Sequence, residues 1–226
     1  MRTDRRGPVC STGRVPPRDE ADAFDTMIAG VDRRFLAASR AWVCGRASGE
    51  VLEVAIGTGL NLPLYPDGVR LTGLDVNPDM LAGARRRAAT LGRTVDLVVG
   101  DAMDLPYADD RFDTVVSTWS LCGVPDERQV VAEMVRVLRP GGSLLLADHV
   151  ASTNPLVRGL QRLAEVFTVP GQGEYWTRRP LLAVRDLGLE IVATDRLHVG
   201  AVERVHARVR DTRTPPPMAS GPATVG

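Results

Sequence analysis

The chain contains no lysine: all 28 of its strongly basic side chains are arginine. That absence excludes the phosphate-binding lysine of Walker-type loops, a lysine Schiff base with pyridoxal phosphate, and the Tyr-x-x-x-Lys pair of short-chain dehydrogenases. Cysteine is scarce as well. Cys10, Cys44 and Cys122 are odd in number, widely spaced and form no Cys-x-x-Cys, so neither a disulfide framework nor a zinc site is expected. No excess of one charge exists either: 28 acidic residues balance the arginines. The arginines are interspersed with Asp and Glu, so no nucleic-acid partner is expected. No apolar run approaches the roughly 20 residues of a membrane span, which argues against stable membrane insertion. The Arg- and Pro-rich start lacks the apolar core of a secretory signal. A cytoplasmic protein is the expectation, and abundant Ala, Val, Gly and Pro alongside Arg suits bacterial, GC-rich coding.

The 226 residues suit one decorated domain. Residues 1–19 and 211–226 read as disordered tails, the latter through Thr214-Pro215-Pro216-Pro217. Between them, over 20–210, short apolar runs alternate with amphipathic stretches, the pattern of βαβ winding. Strands are predicted over 51–56, 69–74, 95–99, 112–118, 143–147, 189–195 and 201–209. The last two are joined too closely for a helical crossover and should pair antiparallel. The expected fold is therefore α/β, Rossmann-like and doubly wound, with a mostly parallel seven-stranded sheet and an antiparallel last strand. Helices are predicted over 24–43, 78–90, 127–138, 155–166 and 178–186. Pro140-Gly141-Gly142 is expected to stop the third, and Pro170-Gly171-Gln172-Gly173 to form a Gly-rich loop.

Three clusters carry chemistry. Glu53-Val54-Ala55-Ile56-Gly57-Thr58-Gly59-Leu60-Asn61 runs from a strand into small residues, which lets backbone approach a ligand closely. By itself this serves NAD, FAD, S-adenosylmethionine or only a tight turn. Asp75 ends the second strand, about 20 residues on, where a carboxylate accepts hydrogen bonds from ribose hydroxyls; capping the helix begun by Asn77-Pro78 is compatible with that. After the third strand comes Gly100-Asp101-Ala102-Met103-Asp104-Leu105-Pro106-Tyr107, followed by Phe112-Asp113 and later Arg139-Pro140-Gly141-Gly142.

Taken together over residues 50–150, these segments resemble the class I S-adenosylmethionine-dependent methyltransferases. The resemblance implies S-adenosylmethionine as cofactor. It implies Glu53, Ala55, Gly57, Gly59 and Asn61 around the methionine end, Asp75 and Val76 at the ribose, and Asp101 with the Ala102 amide at the adenine. Met80 packs on the adenine or belongs to the core, and Thr118 and Trp119 follow strand four at the pocket. Ala55 departs from the family, which has glycine there. Gly57 to Pro66 resembles bacterial phospholipid N-methyltransferases and thiol S-methyltransferase-like members. Leu121-Cys122-Gly123-Val124 and His149-Val150 are closer to the thiol group, and a quinone C-methyltransferase relationship fits the same motifs.

The implied activity is methyl transfer to a small, apolar acceptor through a thiol, amine, hydroxyl or carbon nucleophile, in a monomer or homodimer. His149 is a candidate catalytic residue, as a general base, or a structural residue, and Cys122 is a second catalytic candidate, placed to line the pocket near the methyl donor. A non-catalytic nucleotide-binding module and a nicotinamide oxidoreductase remain as alternatives.

Overall fold

In the computed structural model of the chain, residues 20–211 are described. The expected tails lie outside the described residues, apart from Asp211. Val- and Leu-rich runs with no polar alternation need cover on both faces, and they form one seven-stranded sheet of order β3-β2-β1-β4-β5-β7-β6. The strands are β1 Glu50–Val54, β2 Arg70–Asp75, β3 Val95–Val99, β4 Phe112–Thr118, β5 Leu138–His149, β6 Glu190–Leu197 and β7 Val202–Arg208. The first five run parallel, and β7 is antiparallel to both β5 and β6, as the short connection required. The helices are α1 Glu20–Val31, α2 Ala37–Cys44, α3 Pro78–Leu91, α4 Glu127–Arg136, α5 Pro155–Gln172 and α6 Pro180–Asp186.

Successive strand residues bury into opposite layers. Leu52, Val115 and Leu144 pack with Val130, Met134 and Val184 of α4 and α6. Their neighbours Val51, Val116 and Leu145 pack with Val43 and Leu81 of α2 and α3. The strand order reverses between β1 and β4, and this switch point opens a crevice beyond their carboxyl ends.

Three sequence expectations change. The predicted helix over 24–43 is α1 and α2 joined by a π-helical turn, Asp32–Leu36. The wider turn shifts the helical phase, so that Ser39 and Arg40 face inward beside Val43 and Cys44, which a fixed 3.6-residue period does not anticipate. The predicted Gly-rich loop over 170–173 is instead the end of α5, which contains Pro170 and stops at Gly173 with φ 68°. A proline in a last turn loses one hydrogen bond, and the left-handed glycine is the actual stop. Finally, Pro140-Gly141-Gly142 forms the bulged start of β5 and does not end α4.

Candidate functional site

Ala55, Gly57 and Gly59 have φ of 56°, 56° and 77°, so alternate residues beyond β1 occupy the left-handed region. For Ala55 this conformation is strained, and such strain collects at ligand sites. The glycines do different work. A Cβ on Gly57 would project into open space, whereas one on Gly59 would strike the Leu62 side chain at 2.7 Å and the Ala84 backbone at 3.3 Å. Gly57 thus keeps the crevice open, and Gly59 lets α3 pack close. Across the crevice, buried Asp75 accepts from the Gly57 and Asn77 amides at 2.8 and 2.9 Å. Asp25 of α1 holds the loop from above, accepting from Thr58 Oγ1 and from Arg87, both at 2.6 Å.

Beneath the loop lies a buried polar network. Glu53 accepts from Asn61 Nδ2 at 2.6 Å and from the Tyr65 hydroxyl at 2.9 Å. Arg40 donates to Asn61 Oδ1 at 3.2 Å, to Thr118 Oγ1 at 3.0 Å and to Asp32 at 2.6 Å. It lines the crevice with Ala55, Gly57, Thr118 and Trp119. Sequence reading missed Arg40; its only signal was an arginine set among small and apolar residues over Ala37–Cys44. Glu53 and Asn61 support the loop from below.

Burial pushes Glu53 up to about 7, against the opposing hydrogen bonds of Tyr65 and Asn61 and the charge of Arg40. An acid whose folded value lies above its ordinary 4.5 binds an extra proton in the native state, so its contribution to stability falls as pH rises from about 4.5 to 7. Glu53→Gln should therefore shrink the stability lost between pH 5 and pH 8 by on the order of 3 kcal/mol, read by urea unfolding. Equal losses in both proteins would mean that native Glu53 is ionised throughout.

At the far end, Asp101 is exposed and accepts from the Met103 amide at 2.8 Å, with Ala102 half-buried beside it. Val76 and Val99, on the tips of β2 and β3, are 71% and 59% exposed, and Met80 in the first turn of α3 is half-buried. Two exposed valines at adjoining strand tips leave apolar surface open to solvent at this end.

Trp119, in the left-handed region at φ 57°, borders both this crevice and a second, apolar cavity of about 700 Å³. Phe24, Met27 and Phe35 line one side of the cavity, and Cys122, His149 and Trp176 the other. His149 Nε2 lies 3.3 Å from Glu174 Oε1, and its ring stacks on Trp176 at 4.4 Å. Asp148, buried behind it, accepts from the Leu121 and His149 amides, both at 2.8 Å. Burial depresses His149, but the Glu174 hydrogen bond and the charges of Asp148 and Glu174 outweigh it, leaving the imidazole above its ordinary 6.5. Burial, and then the carboxylates of Asp148 and Glu174, push the Cys122 thiol up, so it meets the cavity uncharged. Donor atoms of Cys122, His149 and Glu174 lie within 4.8 Å of one another. Glu174 was not anticipated; Tyr175 N to Cys122 O at 2.9 Å and Arg178 to Leu121 O at 2.6 Å strap its segment to the site. His198 packs edge-on to Phe35, and His206 bonds Ser143.

Residues 52–146 match the family model described as a methyltransferase domain. A phosphatidylethanolamine N-methyltransferase of Cereibacter sphaeroides is 44% identical over 105 residues, 46% of this chain and 52% of that protein. A ubiquinone/menaquinone biosynthesis C-methyltransferase of Roseobacter denitrificans is 33% identical over 158 residues, 66% of this chain and 62% of its own length. The chain thus spans about half to three-fifths of these relatives. Among solved structures, an S-adenosylmethionine-dependent methyltransferase of Methanosarcina mazei superposes with a TM-score of 0.59 at 22% identity, covering 71% of this chain and 92% of that one. At that identity the likeness concerns the fold.

Proposed function

Because residues 52–146 match a methyltransferase-domain model and the chain is similar to curated methyltransferases over part of their length, we propose that it is a class I S-adenosylmethionine-dependent methyltransferase that moves a methyl group from S-adenosylmethionine to a small apolar hydroxyl or thiol compound. The observation that carries this reading is the junction at Trp119, where a backbone-lined crevice meets an apolar cavity ending at His149 and Glu174. The crevice fits the cofactor: Gly57 leaves it open, and Asp75, bonded to the Gly57 amide beside it, retains unused lone pairs. Arg40 and the amides from Ala55 to Gly59 would hold the methionyl group, and Asp75 the ribose hydroxyls. Val76, Val99 and Met80 would flank the adenine, with Asp101 and Ala102 at its polar edge.

When bound, S-adenosylmethionine supplies a methyl group already activated by its sulfonium. The protein's task is then to align an acceptor and exclude water. The apolar walls from Phe24, Met27, Phe35 and Trp176 do the second, and a volume of about 700 Å³ admits one small molecule. With Nε2–H on Glu174, His149 would take the acceptor proton at Nδ1, a buried nitrogen without a hydrogen-bond partner, and Glu174 would orient the ring and stabilise the charge it gains. A hydroxyl or thiol needs that proton removed to become a good nucleophile; this favours such acceptors over amines. The reading requires no nucleic-acid partner, places the reaction in the cytoplasm and works in a monomer or a homodimer.

Calorimetric titration with S-adenosylmethionine and with NADH, followed by transfer of labelled methyl to an apolar phenol and an apolar thiol, tests the reading. Binding of the first cofactor alone, with label in one acceptor, is the expected result. Cofactor binding without transfer to either would leave a binding module, and NADH binding in its place would overturn the assignment.

A further inference from the structure

Three side chains that no sequence motif connects meet in the wall of the apolar cavity. Cys122 lies in the loop after β4, His149 ends β5, and Glu174 follows α5; all three line the cavity. One donor atom from each lies within 4.8 Å of the other two, and no other such group occurs among the described residues. A thiol, an imidazole and a carboxylate are the side chains from which zinc sites are built.

Their spacing suits an ion better than a hydrogen bond. His149 Nε2 stands 3.3 Å from Glu174 Oε1. That is longer than the roughly 2.7–2.9 Å of a tight charge-assisted hydrogen bond. Two ligands each about 2.0–2.2 Å from one tetrahedral zinc are about 3.3–3.5 Å apart, a range that includes the observed separation. The matching sulfur-to-nitrogen edge is about 3.5 Å, so Cys122 Sγ needs to move by at most about 1.3 Å, a small side-chain rotation. Charge and access agree with this. Glu174 and a Cys122 thiolate offset the two charges of the ion, and Asp148 is buried behind His149 on the Leu121 and His149 amides. The cavity provides the way in and leaves the fourth position to water.

The geometry points to a zinc-binding site at Cys122, His149 and Glu174 that switches methyl transfer off. Binding stands on the three side chains; only its effect on turnover rests on the proposed role of His149. Binding releases the Cys122 thiol proton to the buffer. It also changes the imidazole. Without metal, the ring proton sits on Nε2 toward Glu174 and Nδ1 serves as the base. Zinc on Nε2 moves that proton to Nδ1, the atom that must receive the proton of the acceptor. The ion fills one end of the cavity too, so zinc competes with the acceptor and not with S-adenosylmethionine. Magnesium prefers six oxygen ligands in an octahedron, and this trio holds one carboxylate.

Cobalt(II), a coloured ion that accepts the same tetrahedral ligands, reports the site directly. Added to the metal-free, full-length protein, it should give a thiolate-to-cobalt charge-transfer band that zinc abolishes and magnesium leaves. Cys122→Ala should remove the band and weaken zinc binding by at least about 100-fold, more than the loss of an outer-shell partner. Retained S-adenosylmethionine binding shows that the variant is folded. No band in folded wild-type protein overturns the proposal. So does a band that survives Cys122→Ala, which would come from another thiol. Turnover of the apolar phenol then reads the switch: zinc should abolish it, competitively with the phenol, and a chelator should restore it. A band without inhibition would keep the site and remove His149 as the base. Inhibition without a band would place the zinc elsewhere and overturn the site. If the phenol is not methylated at all, the cobalt spectrum still decides whether the site exists.

Discussion

Asp75→Ala should weaken S-adenosylmethionine binding by at least about 100-fold while the protein remains folded. A carboxylate offers about four acceptor sites, and the Gly57 and Asn77 amides occupy one on each oxygen. Two acceptor sites remain, the number that the paired hydroxyls of a ribose require. Hydrogen bonds to a charged group are worth about 1.5–3 kcal/mol each. Losing two therefore removes roughly 3–6 kcal/mol, at about 1.4 kcal/mol per tenfold in affinity. The fold loses less, because the two amides sit at the crevice rim and can turn to water; about 2 kcal/mol is expected. Asp75→Asn, which keeps the shape and removes the charge, should fall between wild type and alanine. Calorimetry with a parallel thermal melt checks all three proteins. An unchanged affinity in folded Asp75→Ala would remove the ribose from this position and with it the placement of the cofactor in the crevice.

His149→Ala should lower kcat by about 10²- to 10⁴-fold, the usual worth of a positioned general base, with cofactor affinity unchanged. The pH profile separates this role from a structural one. A base works when neutral, and His149 is held above 6.5 by the Glu174 hydrogen bond and by the charges of Asp148 and Glu174, against a burial effect that alone would lower it. Wild-type kcat/KM should therefore rise with pH through a midpoint above 6.5. Glu174→Gln removes one of those charges and weakens the hydrogen bond, so its midpoint should move to lower pH, with a smaller loss of kcat than His149→Ala. Chelators should leave turnover unchanged. A midpoint that Glu174→Gln does not move would reduce His149 to a packing residue. Loss of activity to a chelator, with rescue by zinc, would reassign Cys122, His149 and Glu174 to a metal.

The strands, their parallel winding and the antiparallel β7 were legible because each, apart from the bulged start of β5, depends on a run of fewer than ten residues and on the length of one connection. The crevice beyond β1 was legible for a similar reason. Small residues after β1, a carboxylate ending β2 and the motif after β3 stand at the tips of successive neighbours in a parallel sheet, so sequence order maps directly onto space. Even there, local pattern had limits: Pro170 and Gly171 suggested a loop, while α5 continued to Gly173.

What the sequence by itself determined, then, was the sheet and the backbone edge of the crevice, both products of short-range periodicity and turn chemistry. The tertiary structure alone decided the rest. Arg40 reaches Thr118 across 78 residues, after a π turn alters its phase. His149 acquires Glu174 only because the end of α5 folds back over β5. The outward stripe of α5, Leu156, Leu160, Leu163 and Phe167, reads in sequence as an ordinary core-facing helix, since periodicity reveals that a face is apolar and not which way it points. Orientation is set by what the opposite face binds, here Gln161, Glu165 and Thr168, whose partners come from other segments of the chain.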